Sequence, residues 1–430
     1  MEGRKEGMRT LPDGFNGAVM AVESISDAMA FLHGPGGCRV RQMVHSTAVF
    51  PREDPDDVRG YFIPYFNGYP RVPATYLDEY DYINGAFYKV VEGLDVVNSK
   101  NPELVVIVNS PGAALIGDNH EKAIRDMGLQ SKVMYMDESL VSMPMTSCYG
   151  HMLRAVLEFL EPSRDHPMEG TFILLGMTVL DKDWRAATEE LAGLLESMGL
   201  RFICAPGAGA STADLMESVN AEFAVVVSPE SCDGLTEYYS GYGVKVVRSP
   251  GGAPVGFDAV ETWLRNIADV TGNDPSPALD YLRRAKDRVY EKFVGMKYNA
   301  LRIKGMTFSA AGVASIVRPL TEWLYNYLAM APVAVNVDPG ADPLEVEALE
   351  KFLQSIDYGD SIGLEPKNGC GAVFCEGIQA YTMQIEGLCK IAVPIGHSSM
   401  GLDDIMPRPV YGIQGSLYIL DEILHGVRGS

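Results

Sequence analysis

Short β-branched runs alternate with amphipathic stretches of helical length along the whole chain, and such an alternation folds as α/β with parallel sheets. Leu104-Val105-Val106-Ile107-Val108 reads as a strand buried on both faces. A Gly-rich turn, a helical segment from about Asn119 and a second strand at Val133-Met134-Tyr135-Met136 follow it. The pattern returns at Thr171 to Gly176, with a helix around Trp184 to Met198, a strand at Arg201 to Cys204, a helix from Thr212 and a strand at Ala224 to Val227. Beyond the Pro-rich break Thr271 to Pro277 runs a long charged helix, from about Pro277 to Lys297. Strands then recur at Val333 to Val337, Ala372 to Phe374 and Lys390 to Val393. Three α/β units are therefore expected, near 1–168, 169–275 and 276–430.

Charge and cysteine usage narrow the partners. The 430 residues carry 35 Lys+Arg against 57 Asp+Glu, a net charge of −22, which repels a phosphate backbone or an anionic leaflet, and no basic run offsets it. Nucleic acid and membrane surfaces are excluded as partners. No segment approaches the ~18 uninterrupted apolar residues of a membrane span, and Met1 to Glu6 lead into no signal-like apolar stretch, so a cytoplasmic protein is expected. Seven scattered cysteines do not make a disulfide framework, which leaves packing, catalysis or metal ligation. Gly207-Ala208-Gly209 lacks the third glycine of a dinucleotide fingerprint, and there is no Gly-Lys-Ser/Thr phosphate loop, so nucleotide hydrolysis is not expected.

In open α/β sheets the informative residues lie beyond the carboxyl ends of the strands. His33-Gly34-Pro35-Gly36-Gly37-Cys38 reads as the end of a helical stretch from about Gly17, with Gly36 and Gly37 letting the backbone pass close to a bulky ligand beside the thiol. This segment resembles the His-Gly-Pro-x-Gly-Cys motif of the nitrogenase component 1 family, which includes the dark-operative protochlorophyllide reductases. Thr75 to Gly85, Ser110 to Asn119, Pro254 to Gly256 with Thr262-Trp263-Leu264, and Tyr411 to Gly415 resemble further segments of that family, so the likeness spans nearly the whole chain. It implies three Rossmann-like domains around a cleft. It also implies that Cys38 ligates an iron-sulfur cluster at a subunit interface.

The chain departs from the family where other cluster cysteines are expected: Ser110 stands at one such place and Asp13 at another, and Asp13 reads more readily as a solvated loop residue. Oxygen is a poorer iron ligand than thiolate, although protochlorophyllide reductases resemble this case in using an aspartate. Three arrangements stay open: a cluster held by Cys38 with oxygen ligands, a cluster shared with a cysteine-rich partner, or none. By the same resemblance, Cys232 and His397 stand near the cysteine and histidine that hold a metal cofactor in the cleft; Glu376 follows a strand, is expected to face the same cleft as an acid or a ligand, and is a candidate catalytic residue with His397. Core packing accounts as well for Cys232, and best for Cys148 (placed ahead of a helix from Met152) and Cys204 (placed within a strand), while Cys370, Cys375 and Cys389 lack ferredoxin spacing. His33 is expected to orient the turn before Cys38.

The resemblance implies a reductase subunit that works with a homologous component 1-type subunit. It would take electrons from an ATP-dependent iron protein and pass them to an unsaturated, tetrapyrrole or organosulfur substrate in the cleft. A scaffold that carries a metallocluster without turnover, and a cluster-free protein that binds a small molecule, are the other expectations.

Overall fold

The computed structural model describes residues 13–52, 71–138, 140–295, 302–396 and 404–428. Among the described residues eleven strands form three sheets, with all strand pairings parallel. The first is β1 (Ala28–His33), β2 (Leu104–Asn109) and β3 (Val133–Met136), in that spatial order. The second takes β4 (Met168–Leu175), β5 (Arg201–Phe202), β6 (Ala221–Val226) and β7 (Lys245–Arg248) in the order β5-β4-β6-β7. The third, from β8 (Thr307–Gly312), β9 (Ala331–Val337), β10 (Cys370–Cys375) and β11 (Cys389–Pro394), is ordered β11-β10-β8-β9. Parallel neighbours need helical crossovers that cover both faces, which is why β2 is buried at every position.

One expectation is corrected at the start of the chain. No helix runs from Gly17 to His33: the helix Gly14–Glu23 stops, and Ala28 to His33 is β1. Ala-Met-Ala-Phe-Leu has helical propensity, but pairing with β2, from Ala28 on Leu104 to His33 on Asn109, overrides it. The outer edge of β1 is covered too, since Leu32 N–H donates to Pro73 and Thr75 N–H to Leu32.

Glu23, buried at the end of the first helix, ties this region together. It accepts from Ala30 N, Ser46 Oγ and Arg71 Nε. Burial alone raises a carboxyl pKa; the Arg71 and Arg52 guanidiniums outweigh it and hold Glu23 below its usual range. Among the described residues no helix is long and apolar enough to cross a membrane.

Candidate functional site

Cys38 lies in the first turn of the helix Gly36–Val49, immediately beyond β1, with Pro35 at its N-cap. Ser110 lies just beyond β2, and its N–H donates to His33 O, so strand register alone sets Ser110 beside Gly34. The approach is close: a Cβ on Gly34 would fall 2.7 Å from Ser110 Oγ. That Oγ is buried and lacks a formed hydrogen bond, although the Tyr82 hydroxyl is near enough to feel it. Gly36 packs against Tyr76, whose ring would meet a Cβ at 3.1 Å, whereas nothing lies within 4 Å of one on Gly37.

Asp13 is not a solvated loop residue. It caps the helix Gly14–Glu23 by accepting from Asn16 N at 3.0 Å, and its charge reaches Cys38. Burial and then Asp13 raise the pKa of the half-buried Cys38 thiol and outweigh the opposing Arg41, so it stays protonated at neutral pH. Cys148 belongs to the same neighbourhood: the helix begins at Met145, not Met152, and burial pushes this thiol up to about 12, with Asp13 adding to the effect. The structure thus gathers Cys38, Ser110 and Asp13 at one end of the first sheet. Among the described residues no three His, Cys, Asp or Glu side chains group tightly enough to hold a metal ion.

Behind the turn, His33 does orient it. Its Nδ1 is 3.1 Å from Thr75 Oγ1 and its Nε2 is 3.1 Å from Asp118 Oδ2, while Thr75 Oγ1 accepts from Gly34 N and Asp118 accepts from Ala86 N. The His120 ring sits edge-on at 5.0 Å. Burial and the neighbouring His120 lower the His33 pKa to about 4, so its contact with Asp118 is a hydrogen bond from a neutral imidazole and not an ion pair.

A second site forms where the loops after β4 and β11 meet the far end of the helix Gly36–Val49. Ala48, Val49, Val179, Asp181, Lys182, Asp183, Trp184, Arg185, Gly396 and Asp404 enclose a pocket of about 210 Å³. Gly176, which ends β4, makes the loop possible: its φ is +80°, and a Cβ there would lie 2.0 Å from Ser228 O. Trp184 Nε1 donates to Val49 O at 2.8 Å, so the helix that carries Cys38 in its first turn ends on the pocket wall. Lys182 Nζ pairs with Asp404 and lies 4.9 Å over the Tyr418 ring, and Asp183 accepts from Arg408 N.

The cleft residues expected from sequence fall differently. Cys232 follows a short turn after β6, is buried, donates to Ser228 O at 3.3 Å, and does not line the pocket; burial, then Glu230, pushes its thiol pKa far up. Glu376 caps the helix Gly377–Ile385, accepting from Ile378 N and Gln379 N, and sits behind Gly396, whose Cβ would be 3.1 Å from its Cα. His397 lies outside the described residues. Cys204 falls just past β5 in the core. Sequence reasoning missed Asp181 to Arg185; the only signal was their place between a strand and a helix.

A profile of the family "Nitrogenase component 1 type Oxidoreductase" matches residues 14–365. Among curated proteins, a light-independent protochlorophyllide reductase subunit from Rhodospirillum rubrum is 35% identical over 107 residues, which is 25% of this chain and 19% of that protein. The corresponding subunit from Methylobacterium radiotolerans is 28% identical over 120 residues, 28% of this chain and 22% of that protein. The matches thus span about a fifth of the length of these relatives. Two solved structures share the fold at 14% identity: nitrogenase Cp1 at pH 6.5, with a TM-score of 0.77 over 100% of this chain and 95% of that one, and the same protein at pH 5, with 0.70 over 100% and 90%. With the profile covering well over half its length, the chain belongs to the nitrogenase component 1 type oxidoreductase family.

Proposed function

We propose that the chain is a subunit of a nitrogenase-like two-component reductase. It takes electrons from an ATP-dependent iron-sulfur protein at the face of the first sheet and passes them to a small unsaturated substrate in the cleft. One observation carries this reading: a single helix holds Cys38 in its first turn and Val49 on the wall of the cleft pocket. From position 38 to position 49, at ~1.5 Å per residue, it bridges the two sites over roughly 16 Å.

The donors around Cys38 fit part of an iron-sulfur cluster. One thiol, the unpartnered Ser110 Oγ and the nearby Asp13 carboxylate are too few for four irons, so a homologous subunit, identical or not, supplies the other thiolates. When bound, the cluster supplies one-electron redox chemistry. The surroundings suit such a junction, because Val40, Val44, Tyr76, Tyr82, Ile83 and Leu115 are exposed on the elements around Cys38. Cys232 and His397 remain proposed cofactor holders in the cleft, with Glu376 as a proposed acid. The full activity and the cytoplasmic location are part of the same proposal.

The test is an anaerobic iron and sulfide determination with electron paramagnetic resonance, on wild type and Cys38→Ser, alone and with the partner proteins. Iron that disappears in the variant is the expected result. Wild type that binds no iron even with its partners overturns the redox reading in favour of a cluster-free binding protein. A cluster that leaves for an acceptor protein, without redox cycling, marks a scaffold.

A further inference from the structure

All three carboxylates on the pocket wall are occupied. Asp404 is paired with Lys182, and Asp183 accepts the Arg408 N–H. Asp181 is also occupied but more deeply enclosed: it is 6% exposed and accepts three hydrogen bonds, all from neutral donors. Tyr411 OH donates to Oδ1 at 3.0 Å, and Thr178 N and Oγ1 donate to Oδ2 at 2.7 and 3.1 Å. The carboxyl is held in one orientation by buried partners, and the residue that carries it lines the cavity.

We propose that Asp181 delivers protons to the ligand reduced in this pocket. The proposal rests on the reductase reading. Reducing a double bond A=B to HA–BH takes two electrons, supplied one at a time by an iron-sulfur reductase, and two protons. One proton leaves Asp181, its O–H bond breaking as the A–H bond forms, and the second comes from water, which also reprotonates the carboxylate.

The surroundings suit that exchange. Burial raises the Asp181 pKa to about 6, the hydrogen bonds from Thr178 and Tyr411 oppose the rise, and Glu230 adds to it. A group that titrates so near neutrality is a better acid than an ordinary carboxylate, and the Tyr411 hydrogen bond stabilises the charge left behind. Tyr411 itself is not the acid, because burial and Asp181 hold its pKa well above normal. The other charged groups on the wall are Lys182, Asp183, Arg185 and Asp404; Arg185 stacks on Phe50 and Trp184 and has no acidic partner among the described residues.

The test has a turnover arm and a labelling arm, both on the full complex with its iron protein and ATP. A small alkyne, propargyl alcohol, serves as the probe, and its binding is read from the fluorescence of Trp184, which lines the pocket while the other two tryptophans do not. Asp181→Asn is expected to lower turnover by about 10²–10⁴ while binding stays within about two-fold. Asp181→Glu is expected to recover part of the rate with its pH limb displaced from about 6. Asn turnover within about three-fold of wild type, with an unchanged limb, overturns the proposal. In the second arm a small apolar carbodiimide, which attacks protonated carboxyls, should label Asp181 in peptide maps, fading as pH rises through about 6. Absent or pH-independent labelling of Asp181 overturns the proposal whatever the turnover. A wild type that holds iron but does not reduce the probe leaves the reductase reading to the iron determination, and the labelling arm then decides alone whether Asp181 is a pocket-facing acid.

Discussion

Cys38 and Asp181 occupy corresponding places, each just beyond the first strand of its sheet, β1 and β4, in the passage from strand to helix. Their surroundings are opposite. Around Cys38 the chain leaves apolar side chains exposed, with Tyr82 at 41% and Leu115 at 89%, and Ser110 Oγ is buried without a hydrogen bond. Around Asp181 the three carboxylates of the wall are each answered from within the chain, by Tyr411 and Thr178, by Arg408 N and by Lys182. A buried polar atom without a partner is costly, so natural proteins keep one where something else completes it. The contrast is what the proposal of a shared cluster requires: a first site left open on an exposed apolar face, and a second closed by residues of the chain itself.

The largest expected effect separates the two sites outright. Cys38→Ser should remove iron from the assembled protein entirely, as measured by metal analysis, yet leave probe binding at Trp184 unchanged. Iron retained in the variant would show that Cys38 is packing and would break the comparison.

Next comes Gly176→Ala, which strikes only the cleft side. Alanine at a φ of +80°, with its Cβ 2.0 Å from Ser228 O, forces the backbone apart. Left-handed strain of about 1–2 kcal/mol and overpacking of about 1–3 kcal/mol should together lower unfolding stability in a urea titration by about 2–5 kcal/mol. A variant as stable as wild type would mean that the β4 loop is not held as described.

A third prediction strikes the Cys38 side through pH. His33 has its pKa lowered from 6.5 to about 4, so the folded protein resists a proton that the unfolded chain accepts. The stability this contributes is fully present above 6.5 and is lost as pH falls through about 4. Acid unfolding followed by circular dichroism should therefore steepen in that window, and His33→Gln should flatten it. Should the variant titrate like wild type, the network of Thr75, His33 and Asp118 does not govern the turn.

How far the sequence reveals each site follows the same division. The strands Leu104 to Asn109 and Val133 to Met136 are continuous apolar runs rich in β-branched residues, and such runs are legible without tertiary information. β1 and β8 are not: Ala-Met-Ala-Phe-Leu-His and Thr-Phe-Ser-Ala-Ala-Gly carry weak strand propensity and become strands because neighbours pair with them. Cys38 is legible because a local motif encodes its turn. Asp181 is not, because what makes it unusual is burial beneath Tyr411, 230 positions along the chain, which leaves no local pattern.

The smallest expected effect tests whether the two sites are joined. The indole N–H of Trp184 donates to Val49 O, the last carbonyl of the helix that carries Cys38 in its first turn, so it couples the wall of the closed site to the element that carries the open one. Trp184→Phe keeps an aromatic face for Phe50 and Arg185 and deletes only that hydrogen bond. The cost should be about 1 kcal/mol in urea unfolding, a net hydrogen bond. Iron content should stay at the wild-type level, since none of the donors near Cys38 is touched. If instead iron falls with Trp184→Phe, the helix transmits strain from cleft to cluster site, and the two regions are one cooperative unit whose completion by a partner also sets the shape of the pocket.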